Sequence, residues 1–162
     1  MATQRDRLAS LWGRCAQLPG GDRLFSQLFG WFVPYSGTVG AVVRRLEPGY
    51  CLTTVADRRG LRNHLDSIHA VALVNLGEMT SGLAMTMALP PEIRGIVTEI
   101  GASYLKKARG DLTAEARVTV PLVGNEPVDA RVETVIRDQS GEPVARVYTV
   151  WRLAGTSTEK AP

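Results

Sequence analysis

A carboxylate within an apolar stretch is the first feature of this sequence that could do chemistry. If this stretch is a helix, the neighbours of Glu78 at three and four positions are Val74, Asn75, Ser81 and Gly82. None of them can neutralise a negative charge. A buried, unpaired carboxylate is costly or must hold its proton. Glu78 is therefore a candidate general base or nucleophile with a shifted pKa. The alternative is an exposed helix edge, or pairing with a distant arginine.

A polar loop leads directly into this stretch and carries both histidines of the chain. If the helix begins at His69, the N–H groups of Ala70 and Val71 have no helical partner. The positive end of the helix dipole can then hold a polarised carbonyl oxygen. We predict the Ala70 amide as an oxyanion donor and Asn63 as a group that orients water or substrate. His69 is a weaker catalytic candidate, because histidines at helix starts more often make structural hydrogen bonds, and His64 is interpreted as structural.

The spacing of these residues predicts a shared site. Glu78 follows His69 by nine residues. At ~100° and ~1.5 Å per residue, the two lie on opposite sides of the helix and roughly 13 Å apart along it. One helix cannot direct its N-terminus and its own Glu78 at the same atom. If the two groups act together, one must come from a second chain, as in two antiparallel helices about a two-fold axis.

The spacing of apolar residues and the positions of Gly and Pro predict the helices and strands that must position these residues. Apolar spacing predicts a first helix from the Thr3 cap to Gly20-Gly21 and a second one, ended by Pro34. A long helix ends at Pro90-Pro91, and Pro48-Gly49 marks the turn of a hairpin. The predicted ranges are 22–33 for the second helix, 69–89 for the long helix, and 38–47, 50–56, 96–107, 112–120, 128–137 and 144–153 for six strands.

This order of elements predicts an α+β domain. Strands that follow one another through short turns pair antiparallel. A helix that is apolar nearly all round must be covered on most sides. The simplest packing wraps the antiparallel sheet around one long central helix, with two helices before it. We predict an N-terminal helical extension at 1–33, the main domain at 34–153, and a flexible polar tail at 154–162.

Composition limits the classes of function. The chain has 162 residues, 44% hydrophobic and 22% charged, with a net charge of +3. This mild excess of basic residues suits a small anionic ligand and argues against a dedicated nucleic-acid binder. Cys15 and Cys51 lack metal-ligand spacing, so we predict no metal site and two reduced thiols of a cytoplasmic protein. No apolar run is long enough to predict a membrane span.

Several motifs together resemble those of a known family. Asn63, His69 and Glu78, followed by the segment YLKKARGDL at 104–112, are similar in type and spacing to the hot-dog fold, in particular to PaaI-like acyl-CoA thioesterases and to an uncharacterised bacterial branch of them. The resemblance covers about residues 34–153. It departs from the family at three points. Asp66 stands where the family has Gly, Ala70-Val71 replaces a Gly-Gly pair, and Val97 occupies a position where some members place a catalytic Ser.

The resemblance implies hydrolysis of an acyl-CoA thioester to free acid and CoA, at a site shared between two protomers of a homodimer or tetramer. Glu78 would activate water or attack the carbonyl, which would sit against the Ala70 amide with Asn63 nearby. No metal is needed, because a thiolate is a good leaving group, and no cofactor is implied beyond the CoA of the substrate. The candidate contacts to the CoA phosphates are Arg62, Lys106, Lys107 and Arg109. For the two lysines, a solvated strand end is an equal alternative.

Two other functions remain open at this point. Hot-dog dehydratases use a His paired with an acidic residue, and this sequence lacks a second well-placed His. A non-catalytic acyl-CoA or acyl-carrier binding protein is the stronger alternative, because the family glycines are replaced. We also predict that the large apolar side chains of the first two helices pack on the main domain or on a partner and narrow an acyl pocket. These side chains are Trp12, Phe25, Phe29, Trp31 and Phe32.

Overall fold

The computed structural model describes residues 3–156. The predicted tail therefore falls largely outside the described residues, and the last strand extends two residues beyond its predicted end. The predicted domain boundaries stay predictions. The elements, in chain order, are α1 (Gln4–Cys15), α2 (Gly21–Phe32), α3 (Pro34–Gly37), β1 (Val42–Glu47), β2 (Tyr50–Val55), a short 3-10 turn (Arg59–Leu61), α4 (Ala70–Ala88), β3 (Ile93–Tyr104), β4 (Leu112–Arg117), β5 (Val128–Arg137) and β6 (Pro143–Gly155).

The six strands form one antiparallel sheet in the order β1-β2-β4-β5-β6-β3. The sheet packs against α4, which contributes buried side chains along its whole length. The prediction of an antiparallel sheet around one central helix is confirmed. The prediction of a tight hairpin at Pro48-Gly49 is also confirmed, since Glu47 pairs with Tyr50.

Small and hydroxyl-bearing residues let α4 approach the sheet closely. A Cβ built on Gly77 would lie 2.4 Å from the Val147 Cβ, so no larger residue fits there. The Thr134 hydroxyl donates to the Gly77 carbonyl at 2.9 Å, and the hydroxyls of Thr53 and Thr80 lie 2.8 Å apart. These buried hydroxyls are satisfied internally, which removes the penalty of burying them.

Some of the large aromatic side chains of the N-terminal helices are packed, and others are exposed. Phe25 is fully buried, with Trp12 edge-on at 5.0 Å and Phe29 stacked at 6.3 Å between ring centroids. These three side chains pack as predicted. Trp31 and Phe32 are 88% and 85% exposed. Their predicted packing against the protomer's own domain is wrong, and packing against a partner stays a prediction.

The segment between α2 and β1 differs from the sequence prediction. Pro34 ends α2 as expected, but it also begins α3, because its fixed φ suits the first position of a helix. The predicted strand from Thr38 begins only at Val42. The Thr38 hydroxyl donates to the Tyr35 carbonyl at 2.6 Å, and Gly40 has a φ of +66°, which interrupts an extended chain.

Candidate functional site

The Ala70 N–H at the N-terminus of α4 is a free backbone donor. His69 caps the helix, and its Nδ1 accepts the Val71 N–H at 3.1 Å. The neutral ring therefore carries its proton on Nε2. Within residues 3–156 the Ala70 N–H has no acceptor, whereas the Ala70 carbonyl accepts from the Tyr104 hydroxyl at 3.3 Å. His69 thus fixes the helix start that aims the Ala70 amide, and a direct catalytic role for His69 stays a prediction.

Asn63 organises the loop before α4. Its Oδ1 accepts from the Leu65 N–H at 2.9 Å and from the Ser67 hydroxyl at 3.2 Å. The backbone N–H of Asn63 donates to the Ser67 carbonyl at 2.8 Å. The Nδ2 group of Asn63 has no acceptor in the described part of the chain. The side-chain oxygen therefore holds the loop, and the amide N–H groups remain available to a ligand.

Asp66 lies in this loop with a φ of +52°, the one non-glycine residue with positive φ among the described residues. A positive φ is the conformation that glycine adopts at least cost. Asp tolerates the left-handed region better than most residues because its side chain can make local hydrogen bonds. Here its carboxylate accepts from Arg62 at 2.9 Å, and its carbonyl accepts from Arg109 Nε at 3.0 Å.

Replacing Asp66 with Gly should therefore leave the protein at least as stable, with a gain of up to about 1 kcal/mol in the free energy of unfolding. The ion pair that would be lost is exposed and contributes little. Urea denaturation measures the effect. Asp66→Ala is the matched control, because it loses the ion pair but keeps the strained φ, and it should not gain stability. A Gly variant clearly less stable than the parent would contradict this account.

Three of the four candidate phosphate contacts are already engaged inside the protomer. Arg62 forms a bidentate pair with Asp57 at 2.8 and 3.1 Å, which lowers the pKa of that carboxyl. Arg109 donates to two loop carbonyls, and Lys106 Nζ lies 2.7 Å from Asp138 Oδ2. Lys107 is exposed and has no ion-pair partner within the described range.

Glu78 lies half-buried on α4, and its carboxylate has no hydrogen-bond or ion-pair partner among residues 3–156. Burial raises the pKa of this carboxyl above its usual value. A Cβ placed on Gly82 would lie 3.8 Å from Glu78 Oε1 and 3.7 Å from the Trp151 ring. A methyl group at Gly82 would thus make ordinary van der Waals contact with both groups, so this glycine lies next to the carboxylate and the indole.

One protomer does not bring all the candidate groups together. Ala70 and Glu78 are eight residues apart on α4, which separates them by roughly 12 Å along the helix axis. Between them α4 keeps an uncovered stripe, on which Val71 is 54% exposed and Val74 is partly exposed. An exposed apolar stripe next to an unpaired carboxylate is typical of an interaction surface.

The edge strand beside this stripe is also uncovered. β3 pairs with β6 along one side, and no strand of the described chain pairs with its other side. Ile100 is opposite the buried Thr149, so it lies on the sheet face that points to α4. Tyr104 is half exposed on the same strand. A long unpaired edge with apolar side chains favours pairing with another chain.

Two features of the site were not predicted from the sequence. The first is Trp151, which lies near Glu78. In the sequence it is only one of several apolar residues on the inner face of a strand. Asp57 holds Arg62 and also accepts the Gly110 N–H at 2.9 Å, which joins the ends of two loops. An acidic residue directly after an apolar strand was the only available signal for it.

The described residues contain no group of three or more His, Cys, Asp or Glu side chains that could hold a metal ion. None of the helices in this part of the chain is both long and apolar enough to cross a membrane.

Solved structures with similar folds place the chain among known proteins. A structural-genomics target is 26% identical with a TM-score of 0.81, and the match covers 93% of this chain and 99% of that one. A Pseudomonas aeruginosa protein of unknown function, described as a probable thioesterase, is 24% identical with a TM-score of 0.68 over 85% and 97% of the two chains. A hypothetical thioesterase of Streptococcus pneumoniae with coenzyme A is 17% identical with a TM-score of 0.64 over 78% and 97%.

The comparison with curated proteins finds no match. The similar structures are hot-dog folds, which confirms the predicted fold. Residues 21–153 match the family described as "Domain of unknown function (DUF4442)". This match includes α2 and every later element. The chain therefore belongs to the DUF4442 family and has the hot-dog fold.

Proposed function

We propose that this protein hydrolyses an acyl-CoA thioester to free acid and CoA, as a PaaI-like hot-dog thioesterase. The observation that carries the proposal is Glu78, a half-buried carboxylate without a partner in the described residues. Similar structures named as thioesterases, one of them with coenzyme A, support the same reaction class. We place the protein in the cytoplasm, in keeping with the buried free thiols of Cys15 and Cys51.

The proposed mechanism uses groups from two protomers. Glu78 of one protomer removes a proton from water, and the water oxygen bonds to the thioester carbonyl carbon. The electron pair of the C=O bond moves to oxygen, where the Ala70 N–H of the other protomer stabilises it. Collapse of this intermediate breaks the C–S bond and releases the CoA thiolate, which takes up the proton held by Glu78 and so restores the carboxylate. Asn63 Nδ2 is a second donor for positioning the substrate. In the alternative mechanism, the Glu78 carboxylate attacks the thioester carbonyl carbon directly.

The test of this function is release of free CoA thiol from a panel of acyl-CoAs of different chain lengths, with Glu78→Gln beside the parent. The alternative function is a non-catalytic acyl-CoA or acyl-carrier binding protein. Two observations favour that alternative. Asp66 has a strained backbone conformation in the loop before α4, and Arg62 is paired with Asp57 and is therefore not free to bind a phosphate. Binding of acyl-CoA without thiol release would establish it.

The shared site requires a dimer, which we expect to form along the β3 edge and the uncovered stripe of α4. Ile100→Lys places a charge on this surface and should shift the parent dimer or tetramer towards monomer. Light scattering after size exclusion measures the mass. Leu122→Lys is the matched control, since Leu122 is 99% exposed in the loop between β4 and β5. A parent protein that is a monodisperse monomer at micromolar concentration would contradict the shared site.

A further inference from the structure

A cleft lies between the N-terminal helices and the central helix. Its volume is about 700 Å³, within the range of pockets that hold small-molecule ligands. α2, α3 and the start of β1 form its walls, and Met79 of α4 contributes from the core. Its apolar lining includes the side chains of Phe29, Trp31, Ala41 and Met79.

The lining suits an uncharged, apolar ligand. It contains no carboxylate, and Arg23 is its one charged side chain. The Ser26 hydroxyl donates to the Asp22 carbonyl at 2.6 Å and accepts the Val43 N–H at 2.8 Å. Its hydrogen bonds are thus satisfied inside the protein. Apart from Ser36, whose hydroxyl has no partner among the described residues, the buried part of the cleft offers mainly apolar contact.

The cleft and the candidate catalytic carboxylate lie on neighbouring sides of α4. Met79 lines the cleft and directly follows Glu78 in the chain, and consecutive helical residues point about 100° apart around the axis. Asn75, one helical turn earlier, donates from Nδ2 to the Tyr35 carbonyl at 3.0 Å and to the Thr38 hydroxyl at 3.2 Å. These bonds fix α3, one wall of the cleft, to the same part of α4.

The other wall is fixed by a close crossing of two helices. A Cβ placed on Gly37 of α3 would lie 2.7 Å from the Gly30 carbonyl oxygen of α2, so α2 and α3 meet backbone to backbone. Trp31 follows this crossing and lines the cleft while remaining exposed. A large exposed aromatic at the edge of an apolar cleft is well placed to cover an apolar ligand.

We propose that this cleft binds the hydrocarbon part of the acyl group, and that the N-terminal extension thereby selects medium to long acyl chains. This inference rests on the proposed function for the identity of the ligand. The highly polar CoA moiety would remain outside, since the lining has no cluster of cations for its phosphates.

Two neighbouring aromatics provide a matched test by ligand binding. Trp31 lines the cleft and Phe32 does not, although both are almost fully exposed, so neither truncation should impair folding. The probes are S-dodecyl-CoA and S-ethyl-CoA, thioethers that cannot be hydrolysed, with affinities from calorimetry. Trp31→Ala should weaken S-dodecyl-CoA at least about fivefold, through lost apolar contact, and leave S-ethyl-CoA unchanged. Phe32→Ala should change neither affinity.

A second variant fills the cleft. Ala41 is buried in its lining, and Ala41→Leu should weaken S-dodecyl-CoA while S-ethyl-CoA still binds. The inference is overturned if Trp31→Ala leaves the S-dodecyl-CoA affinity unchanged, weakens both ligands equally, or is matched by Phe32→Ala. It is also overturned if the parent binds S-dodecyl-CoA no better than S-ethyl-CoA.

The two proposals fail in different ways. If the parent hydrolyses no acyl-CoA but Trp31→Ala selectively weakens S-dodecyl-CoA, the acyl cleft stands and the protein is a binder. If hydrolysis is observed and Trp31→Ala leaves both affinities unchanged, the enzyme assignment stands and the cleft is not the acyl site.

Discussion

Glu78→Gln is expected to reduce acyl-CoA turnover by about 10²–10⁴-fold, the usual contribution of a general base. The amide preserves the shape of the side chain but cannot accept the proton from water. Because Glu78 has no hydrogen-bond partner among residues 3–156, the substitution breaks no internal contact, and the fold should persist. Steady-state thiol release reports the rate, and calorimetry with S-dodecyl-CoA should show that ligand binding is retained.

The matched control is Glu126→Gln, which makes the same chemical change in an exposed loop. It should turn over substrate at the parent rate. If Glu78→Gln also hydrolyses acyl-CoA as fast as the parent, the carboxylate is structural. The binding-protein alternative then becomes the better account of the protein.

The same carboxyl predicts a dependence on pH. Burial raises the pKa of Glu78 in the folded protein above the ordinary value of a glutamate, which is also its value in the unfolded chain. Protonation of Glu78 therefore makes its full contribution to stability at pH values below the pKa of this group in the unfolded chain. That contribution is lost as the pH rises through the pKa of the group in the folded protein. As the pH rises through this range, turnover by the parent should increase, because more of Glu78 is ionised. The free energy of unfolding of Glu78→Gln should increase relative to that of the parent, because glutamine does not ionise. Urea denaturation at several pH values measures the second effect.

Ala70→Pro is expected to reduce turnover by about 10²–10³-fold, the scale on which a single oxyanion donor contributes. Proline removes the Ala70 N–H, which has no acceptor within the described residues, and it fits the first position of a helix. His69 already has φ −64° and ψ 139°, the extended conformation that a residue before proline prefers. The substitution should therefore remove the donor without unfolding α4.

Ala70→Gly is the control, because it changes the side chain but keeps the N–H, and it should retain most of the activity. Circular dichroism and thermal unfolding check that the proline variant is folded. A folded Ala70→Pro variant with parental turnover would show that the oxyanion is stabilised elsewhere, and Asn63 Nδ2 would be the next donor to test.

The repeating patterns of the sequence were sufficient for the main elements. β5 has the predicted bounds, Val128–Arg137, because its apolar and charged residues alternate cleanly. α4 differs from its predicted range by one residue at each end, since His69 and Leu89 are its caps. Periodicity of this kind reflects which side of an element is buried, and burial is the strongest local constraint on a chain.

The sequence by itself determined the helix that carries Glu78, the free amide at its start, and the antiparallel sheet around it. These depend on local spacing and on the cost of burying polar groups. Only the tertiary structure decided how the cations are used, because Arg62 and Lys106 meet Asp57 and Asp138 through contacts that no local spacing reveals. The same holds for the cleft beside Met79, since its walls come from separate elements that the fold brings together.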